Sequence, residues 1–452
     1  MTDSLATIDS LAARRLVIDL LAGVLDRGVA LDTGFAVFTG EGGRYRALDT
    51  RDRAFARRLA ATVLRRLGQI DAVIGHFIDR PLSRDARPAR HLLRLGAAQI
   101  LFTGTAHHAA VDTTVTLAAR HHRSAVRGKK GLINAVLRRI AAKGGALLDT
   151  ECADLALNLP SWLAESWQQT WGNDSLAAIM GVLASDPMVD FSLRDERSGD
   201  RWAQALAAQV LPTGSLRRPG GGRIEDLPGY SEGAWWVQDA AAALPARLFG
   251  NVAGQAVLDL CAAPGGKTAQ LAALGARLTA VDRSPARLAR LRSNLDRLGL
   301  TATFVEADAT EWRGDGGVWS SILLDAPCSA TGTLHRHPDI GWLKKPGDVA
   351  KLAAVQRRML DHAAGLLAPG GRLVYCTCSL QPAEGEDQIE AFLKRHPDMT
   401  VEPLGLDEIG LAAPAPAPAL VDRFGAIRTL PCHFASLGGI DGFYIARLLK
   451  RP

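Results

Sequence analysis

The sequence predicts a multidomain α plus α/β chain: an all-α domain over 1–145, a small α+β connector over 146–235, and a doubly wound, Rossmann-like sheet over 236–452. Apolar residues before 150 recur at helical spacing without any strand pattern, whereas from 236 short apolar runs alternate with amphipathic stretches. Charge divides the chain at the same place. Residues 1–145 hold 24 Lys and Arg against 12 Asp and Glu, a net of +12, and the remainder carries 29 against 35, a net of −6. A basic first third on a mildly acidic remainder implies a polyanion-binding module attached to a second activity.

Composition sets the outer bounds. The 452 residues are 47% hydrophobic and 22% charged, ordinary for a chain that buries large cores, and roughly 150 residues per domain suggests about three domains. No run reaches the roughly 18 uninterrupted apolar residues of a membrane span. Met1-Thr2-Asp3-Ser4 lacks a basic start followed by an apolar core, so no secretory signal is expected. Six cysteines are too few for a disulfide scaffold; reduced thiols in a cytoplasmic protein are expected. No Cys-x-x-Cys pair exists, and His107-His108 and His121-His122 are adjacent rather than ligand-spaced, so no metal is expected.

In the first third, Leu16, Val17, Leu20, Leu21, Val24 and Leu25 fall on one face of a helix. Phe55, Leu59, Val63 and Leu67 repeat every fourth residue, with Arg57, Arg58, Arg65 and Arg66 between them, which predicts a basic amphipathic helix. Another covers Gly131–Ile140. The basic run His121–Lys130 before it suits phosphates, through its side chains and the free N–H groups of the helix start. In the connector, Leu159-Pro160-Ser161-Trp162 opens a helix. Met188–Leu193 and Gly220–Leu227 read as short strands or loops around a helix over Asp200–Val210.

From 236 the candidate strands are Ala256–Leu260, Arg277–Val281, Ala302–Val305, Ser321–Leu324, Arg372–Cys376 and Phe443–Leu448. Helices lie between them, notably Pro285–Leu298 with Ser284 as N-cap and Pro285 at its first position. The Ala-Pro run at 412–418 is read as a loop. Such a sheet binds ligands at the carboxyl ends of its strands.

The first of these strands runs into Asp259-Leu-Cys-Ala-Ala-Pro-Gly-Gly-Lys-Thr268. A phosphate-cradling loop would need Gly where Cys261 stands, and Gly-x-Gly-x-x-Gly is absent, so neither nucleotide fingerprint fits. What remains is a glycine turn with carboxylates at successive strand ends. Asp282 suits a ribose diol and Asp308 an adenine amino group, unless these residues only cap the following helices, Asp308 especially. A nucleoside cofactor without a pyrophosphate loop points to S-adenosylmethionine.

Two thiols stand at neighbouring strand ends. Asp325-Ala-Pro-Cys328 follows the fourth strand and Cys376-Thr-Cys378 the fifth. Paired thiols suit carbon methylation of a pyrimidine, because C5 of cytosine is too weak a nucleophile unaided. A thiolate adding at C6 turns the ring into an enamine whose C5 can attack, and the second thiol can assist release. Asp325 is placed to stabilise the adduct, and Lys267 either tunes a thiol or points to solvent. Alternation puts Cys376 and Cys378 on the same face; nearness to the strand end favours Cys378.

Together, Asp259–Thr268, Asp325-Ala-Pro-Cys-Ser329 and Thr377-Cys-Ser379 resemble the RNA (cytosine-C5)-methyltransferase family. Val237-Gln-Asp239, Arg336-His-Pro-Asp339 and Asp441–Ala446 are also similar to it. Arg51–Ile140 resembles the RNA-binding domain of the antitermination factor NusB, which picks out the ribosomal small-subunit group of that family. The resemblance spans nearly the whole chain. It implies a class I methyltransferase domain acting on 16S rRNA, with Cys378 as nucleophile and Cys328 as the thiol aiding release. It places cofactor contacts on Cys261, Ala262, Ala263, Pro264, Gly265, Gly266, Lys267, Asp282, Asp308 and Asp325. DNA-type enzymes use the Pro-Cys thiol instead, so Thr377-Cys378 argues for RNA and against DNA. His335 and His337 are expected to face RNA or solvent, and a monomer is expected. The chain departs from the family at Glu384-Gly-Glu-Asp387, where Glu-Glu-Asn is common, and at Asp195-Glu196, where Val-Asn is common.

Overall fold

Apolar faces at helical spacing fold the N-terminal part as read. The computed structural model describes residues 2–80, 82–314, 317–410 and 420–452. They divide into two units, Met1–Glu165 with Arg336–Lys344, and Ser166–His335 with Lys345–Pro452. The first unit contains α1 (Thr2–Arg27), α2 (Leu31–Thr39), α3 (Thr50–Arg65), α4 (Leu67–His76), α5 (Arg87–Phe102), α6 (His107–Ala119), α7 (Ser124–Arg127) and α8 (Lys130–Asp149). No strand occurs among its described residues. Leu16, Val17, Leu20, Leu21 and Val24 are buried and Leu25 packs against the same core.

The row from Phe55 to Leu67 does not run as one helix. Arg66 leaves helical geometry (φ −110°, ψ 16°), ending α3, and Leu67 starts α4. The break serves the turn Leu155–Asn158: Gln69 N donates to Asn158 Oδ1 (3.0 Å) and Asn158 Nδ2 to Gln69 Oε1 (3.0 Å). A Cβ on Gly68 would lie 1.6 Å from Leu157 O, so only glycine admits that approach. The segment Arg336–Lys344 belongs to this unit. Its Asp339 accepts from Leu31 N (2.8 Å), capping α2 where Ala30 offers no side-chain oxygen, and Trp342 Nε1 donates to Leu64 O (2.9 Å).

A helix over Ser161–Leu183, broken at Gly172 (φ 79°, ψ 168°), leads into the second unit. There β1 (Met188–Leu193), β2 (Gln209–Val210), β3 (Leu216–Pro219) and β4 (Trp235–Val237) make an antiparallel sheet in the order β2-β3-β1-β4. The helix expected through Val210 stops at Leu206, because Ala207 turns left-handed (φ 48°, ψ 47°) and Gln209–Val210 pair with β3. Gly220–Leu227 contains no strand, only the turn Ile224–Asp226. Arg217 and Asp190, each 3% exposed, form a bidentate pair (both bonds 2.6 Å) that locks β3 to β1.

The larger sheet contains β5 (Ala256–Leu260), β6 (Arg277–Asp282), β7 (Thr303–Glu306), β8 (Trp319–Asp325), β9 (Leu367–Thr377), β10 (Met399–Val401), β11 (Ile427–Thr429) and β12 (Phe443–Lys450). Its order is β10-β12-β9-β8-β5-β6-β7, with β11 on β12. Strands β5 to β9 pair in parallel, as strand–helix alternation requires, and β12 inserts antiparallel beside β9. Alternate residues enter opposite cores: Leu258, Leu260, Ile322, Leu324 and Tyr375 one, Val257, Leu323, Val374 and Cys376 the other. The fold class is therefore the one the sequence predicts. Helix Pro285–Leu298 has the expected bounds, with Ser284 Oγ accepting from Arg287 N. The Ala-Pro run at 412–418 lies outside the described residues. Among the described residues no helix is long and apolar enough to cross a membrane, and no group of His, Cys, Asp and Glu could hold a metal.

Candidate active site at the carboxyl ends of the parallel strands

Strand register decides which residues meet. Leu260 pairs with Val281 on one side and Leu324 on the other, and Asp325 pairs with Cys376. The residues that follow these positions therefore gather at one end of the sheet. Cys261 takes positive φ (63°) and Gly265 turns left-handed (φ 106°) before helix Gly266–Ala273 opens. A Cβ on Gly265 would lie 2.0 Å from Leu291 Cδ1, so the turn requires glycine.

Asp282 is 3% exposed and tied down. It accepts from Ala263 N (3.2 Å) and Ser284 N (3.0 Å), with Arg287 Nη1 3.5 Å away. Each carboxylate oxygen keeps acceptor capacity beyond these bonds. Asp308 is exposed, and its Oδ1 accepts from Thr310 N (2.8 Å) and Thr310 Oγ1 (2.7 Å), bonds that hold its pKa below the usual carboxylate value. These bonds close a turn after β7; no helix follows for Asp308 to cap.

Behind the turn lies Asp259, 1% exposed, accepting from Thr268 Oγ1 (2.6 Å). Burial pushes its pKa up to about 7, the Thr268 bond opposing and Asp325 adding. A folded-state pKa above the unfolded one gives stability that is present in acid and lost as pH rises through the folded value. Between about pH 4 and pH 7 the chain should lose up to roughly 4 kcal/mol at this residue. Asp259→Asn, which still accepts from Thr268, should flatten that stretch of the melting-temperature profile; an unchanged profile would assign the loss to other groups.

The thiols and the charged pair make two sets of contacts. Cys328 Sγ and Cys378 Sγ are 3.4 Å apart, and Cys376 Sγ is 3.4 Å from Asp325 Oδ1. Lys267 Nζ donates to Asp325 Oδ2 (2.8 Å) and sits 5.1 Å from the centre of the Phe443 ring. Lys267 is buried, not turned to solvent. Burial works against its charge, but Asp325 and the thiols Cys376 and Cys378 outweigh that and raise its pKa. The hydrogen bond with Cys378, then burial, holds the Cys328 pKa well above that of a free thiol, and burial does the same for Cys376. Strand alternation left Cys376 and Cys378 equal; burial separates them. Cys376 is 0% exposed within the core, whereas Cys378 is only partly buried at its edge. Cys261 stands apart from the pair: it meets Met359 Sδ (3.9 Å), and burial pushes its pKa up to about 12.

One expectation is corrected. His335 is buried, its Nε2 3.1 Å from Ser185 O, rather than facing RNA or solvent. In the basic run His121–Lys130, Arg123, Arg127 and Lys130 are exposed, and Arg127 Nη1 also donates to the carbonyls of His121 (2.9 Å) and His122 (2.8 Å).

Residues 247–449 match the 16S rRNA methyltransferase RsmB/F family, and residues 11–142 match the NusB family. The ribosomal RNA small subunit methyltransferase B of Sodalis glossinidius (strain morsitans) is 37% identical over 416 residues, covering 89% of this chain and 91% of that protein. The same-named protein of Cronobacter sakazakii (strain ATCC BAA-894) is 33% identical, covering 98% and 99%. The chain belongs to the ribosomal RNA small subunit methyltransferase B family. Solved structures repeat the fold: PH0851 at TM-score 0.73 and 22% identity over 97% of this chain and 99% of that one, and a methyltransferase homolog protein from Pyrococcus horikoshii at TM-score 0.53 and 27% identity over 64% and 95%.

This member of the ribosomal RNA small subunit methyltransferase B family keeps, at the position where its sequence departs from Glu-Glu-Asn, a buried carboxylate that sequence reading missed. Glu384 is 0% exposed and reaches the loops of both thiols through Ser329 and Ser379. In the sequence, Glu384-Gly-Glu-Asp387 stands out only as a departure from the family pattern. Only the short spacing from Ser379 hinted that the chain doubles back here.

Proposed function

We propose that this enzyme transfers a methyl group from S-adenosylmethionine to C5 of a specific cytosine in 16S rRNA, through a covalent adduct between Cys378 and C6. The observation that carries the reading is a partly exposed Cys378 3.4 Å from a protonated Cys328, beside the Lys267–Asp325 pair. Cys328 is the hydrogen-bond partner of the Cys378 sulfur and the Lys267 ammonium interacts with it electrostatically, so both would steady charge on that sulfur as the adduct forms and breaks. Asp325, whose Oδ2 accepts from Lys267, would hydrogen-bond the cytosine edge and stabilise the charge that builds on the ring.

The carboxylates fit the cofactor. Asp282 and Asp325, at the ends of the two strands that flank β5, would repel a pyrophosphate, but they match a ribose diol and a sulfonium cation. The turn from Cys261 to Lys267, with Ala262, Ala263, Pro264, Gly265 and Gly266, would hold S-adenosylmethionine with Asp282, Asp308 and Asp325. When bound it supplies an electrophilic methyl. The basic helical unit supplies affinity for structured RNA, so binding should weaken steeply with salt. The base must be exposed or flipped for Cys378 to reach C6.

Incubation with labelled S-adenosylmethionine and unmodified 16S rRNA, assembled small subunits or transfer RNA tests this directly. A single 5-methylcytosine in 16S rRNA is expected. Label confined to transfer RNA would overturn the substrate, label at another atom the chemistry, and no label with cofactor bound would leave a non-catalytic RNA-binding factor.

A further inference from the structure

We infer that Glu384 is a positioning residue that sets the separation of the two thiols, gathering the neighbours of Cys328 and Cys378 onto one carboxylate. Its kinetic consequence rests on the proposed reaction; its geometric consequence does not. Oε1 of Glu384 accepts from Ser329 N (2.9 Å) and Gln356 Nε2 (3.0 Å), and Oε2 accepts from Ser379 Oγ (2.5 Å) and Ser329 Oγ. Ser329 follows Cys328 and Ser379 follows Cys378, and their hydroxyl oxygens are 3.1 Å apart. Gln356 Nε2 also donates to Pro327 O (2.9 Å), so Cys328 is held on both sides. The Glu384 carbonyl accepts from Tyr375 Oη (2.9 Å) and Thr377 Oγ1 (3.0 Å), anchoring the residue to the end of β9. Ser329, Ser379, Gln356, Tyr375 and Thr377 are all 0% exposed, so no water can replace a lost bond without rearrangement.

Such a knot fixes two loops that would otherwise move independently. A displacement of about 1 Å between reacting groups costs roughly 100-fold in rate, so the carboxylate acts on the reaction without touching its atoms. Glu384→Gln keeps shape and volume but puts an NH2 donor where two hydroxyls donate, splitting the knot on one side.

Dibromobimane, which becomes fluorescent on bridging two neighbouring thiols, reads the geometry in the full chain, with peptide mapping to identify the link. Wild-type protein should form the Cys328–Cys378 bridge. Glu384→Gln should slow it about tenfold while melting stays cooperative, and the exposed Asp387→Asn should bridge like wild type. Methyl transfer by Glu384→Gln should show kcat reduced roughly 10- to 100-fold with the cofactor KM nearly unchanged. Ser329→Ala provides a second route should the Glu384 variant fail to fold. Bridging at the wild-type rate in folded variants would overturn the positioning role, as would a full kcat. Wild-type protein that bridges but transfers no methyl would overturn the proposed reaction and leave this role standing.

Discussion

Replacing Cys378 with alanine should abolish methyl transfer, lowering turnover by at least about 10⁴-fold, or roughly 5.5 kcal/mol of barrier. C5 of cytosine cannot attack a methyl sulfonium at a useful rate until a nucleophile has added at C6, and no other thiol is placed to substitute. Cys376 is fully enclosed and its Sγ is engaged with Asp325 Oδ1 at 3.4 Å. Cys328 loses its hydrogen bond to Cys378 in this variant, but burial still raises its pKa. The variant should fold, because Cys378 lies at the edge of its core rather than inside it. It should also free Cys328: without the S–H···S contact its pKa should fall, and alkylation at mildly alkaline pH should speed up. Single-turnover transfer on 16S rRNA checks the first outcome and iodoacetamide labelling the second. Retained turnover would move the nucleophile to Cys328, the arrangement of the DNA-type enzymes.

The fold was legible where local pattern and tertiary demand agree. Strand β5 was read to the residue, because its five-residue run ends in a turn whose glycines admit no alternative. Helix Pro285–Leu298 was legible because Ser284 and Pro285 are start signals that act within one turn. Errors arose where a distant partner decides. Nothing near Arg66 says that α3 must break; the reason is Asn158, 89 residues beyond Gln69. Nothing near Ala207 says that the helix must stop; the reason is the pairing of β2 with β3. The same division holds in the site. Lys267 was found by motif, but its burial against Asp325 depends on register across three strands. Glu384 was missed because an acidic cluster carries no local mark of enclosure, and its partners come from three separate segments. Alternation could not separate Cys376 from Cys378, although nearness to the strand end favoured Cys378: alternation gives direction, whereas depth comes from what covers the strand end.

Replacing Cys328 with alanine should have the opposite signature to loss of the nucleophile: a protein–RNA adduct that survives denaturation, with turnover down roughly 100-fold, or about 2.7 kcal/mol. Once the methyl is on C5, the C5 proton must leave to a base, the electron pair reforms the C5–C6 double bond, and the C6–S bond breaks with Cys378 departing as a thiolate. A protonated thiol 3.4 Å from that sulfur stabilises the departing charge and can give it its own proton, leaving Cys328 as the thiolate to be reprotonated from solvent. Alanine removes the donor. It also removes the hydrogen-bond partner of the attacking sulfur, so addition should slow as well. Addition, however, still has the Lys267 ammonium to support it, and the adduct, once formed, has lost its nearest acid. Elimination should therefore suffer more, and the adduct should accumulate. Denaturing electrophoresis of the variant with labelled 16S rRNA should show a band absent from wild type and from the Cys328→Ala, Cys378→Ala double variant. A variant that turns over fully without that band would remove Cys328 from release, leaving the short contact with Cys378 to act on attack alone.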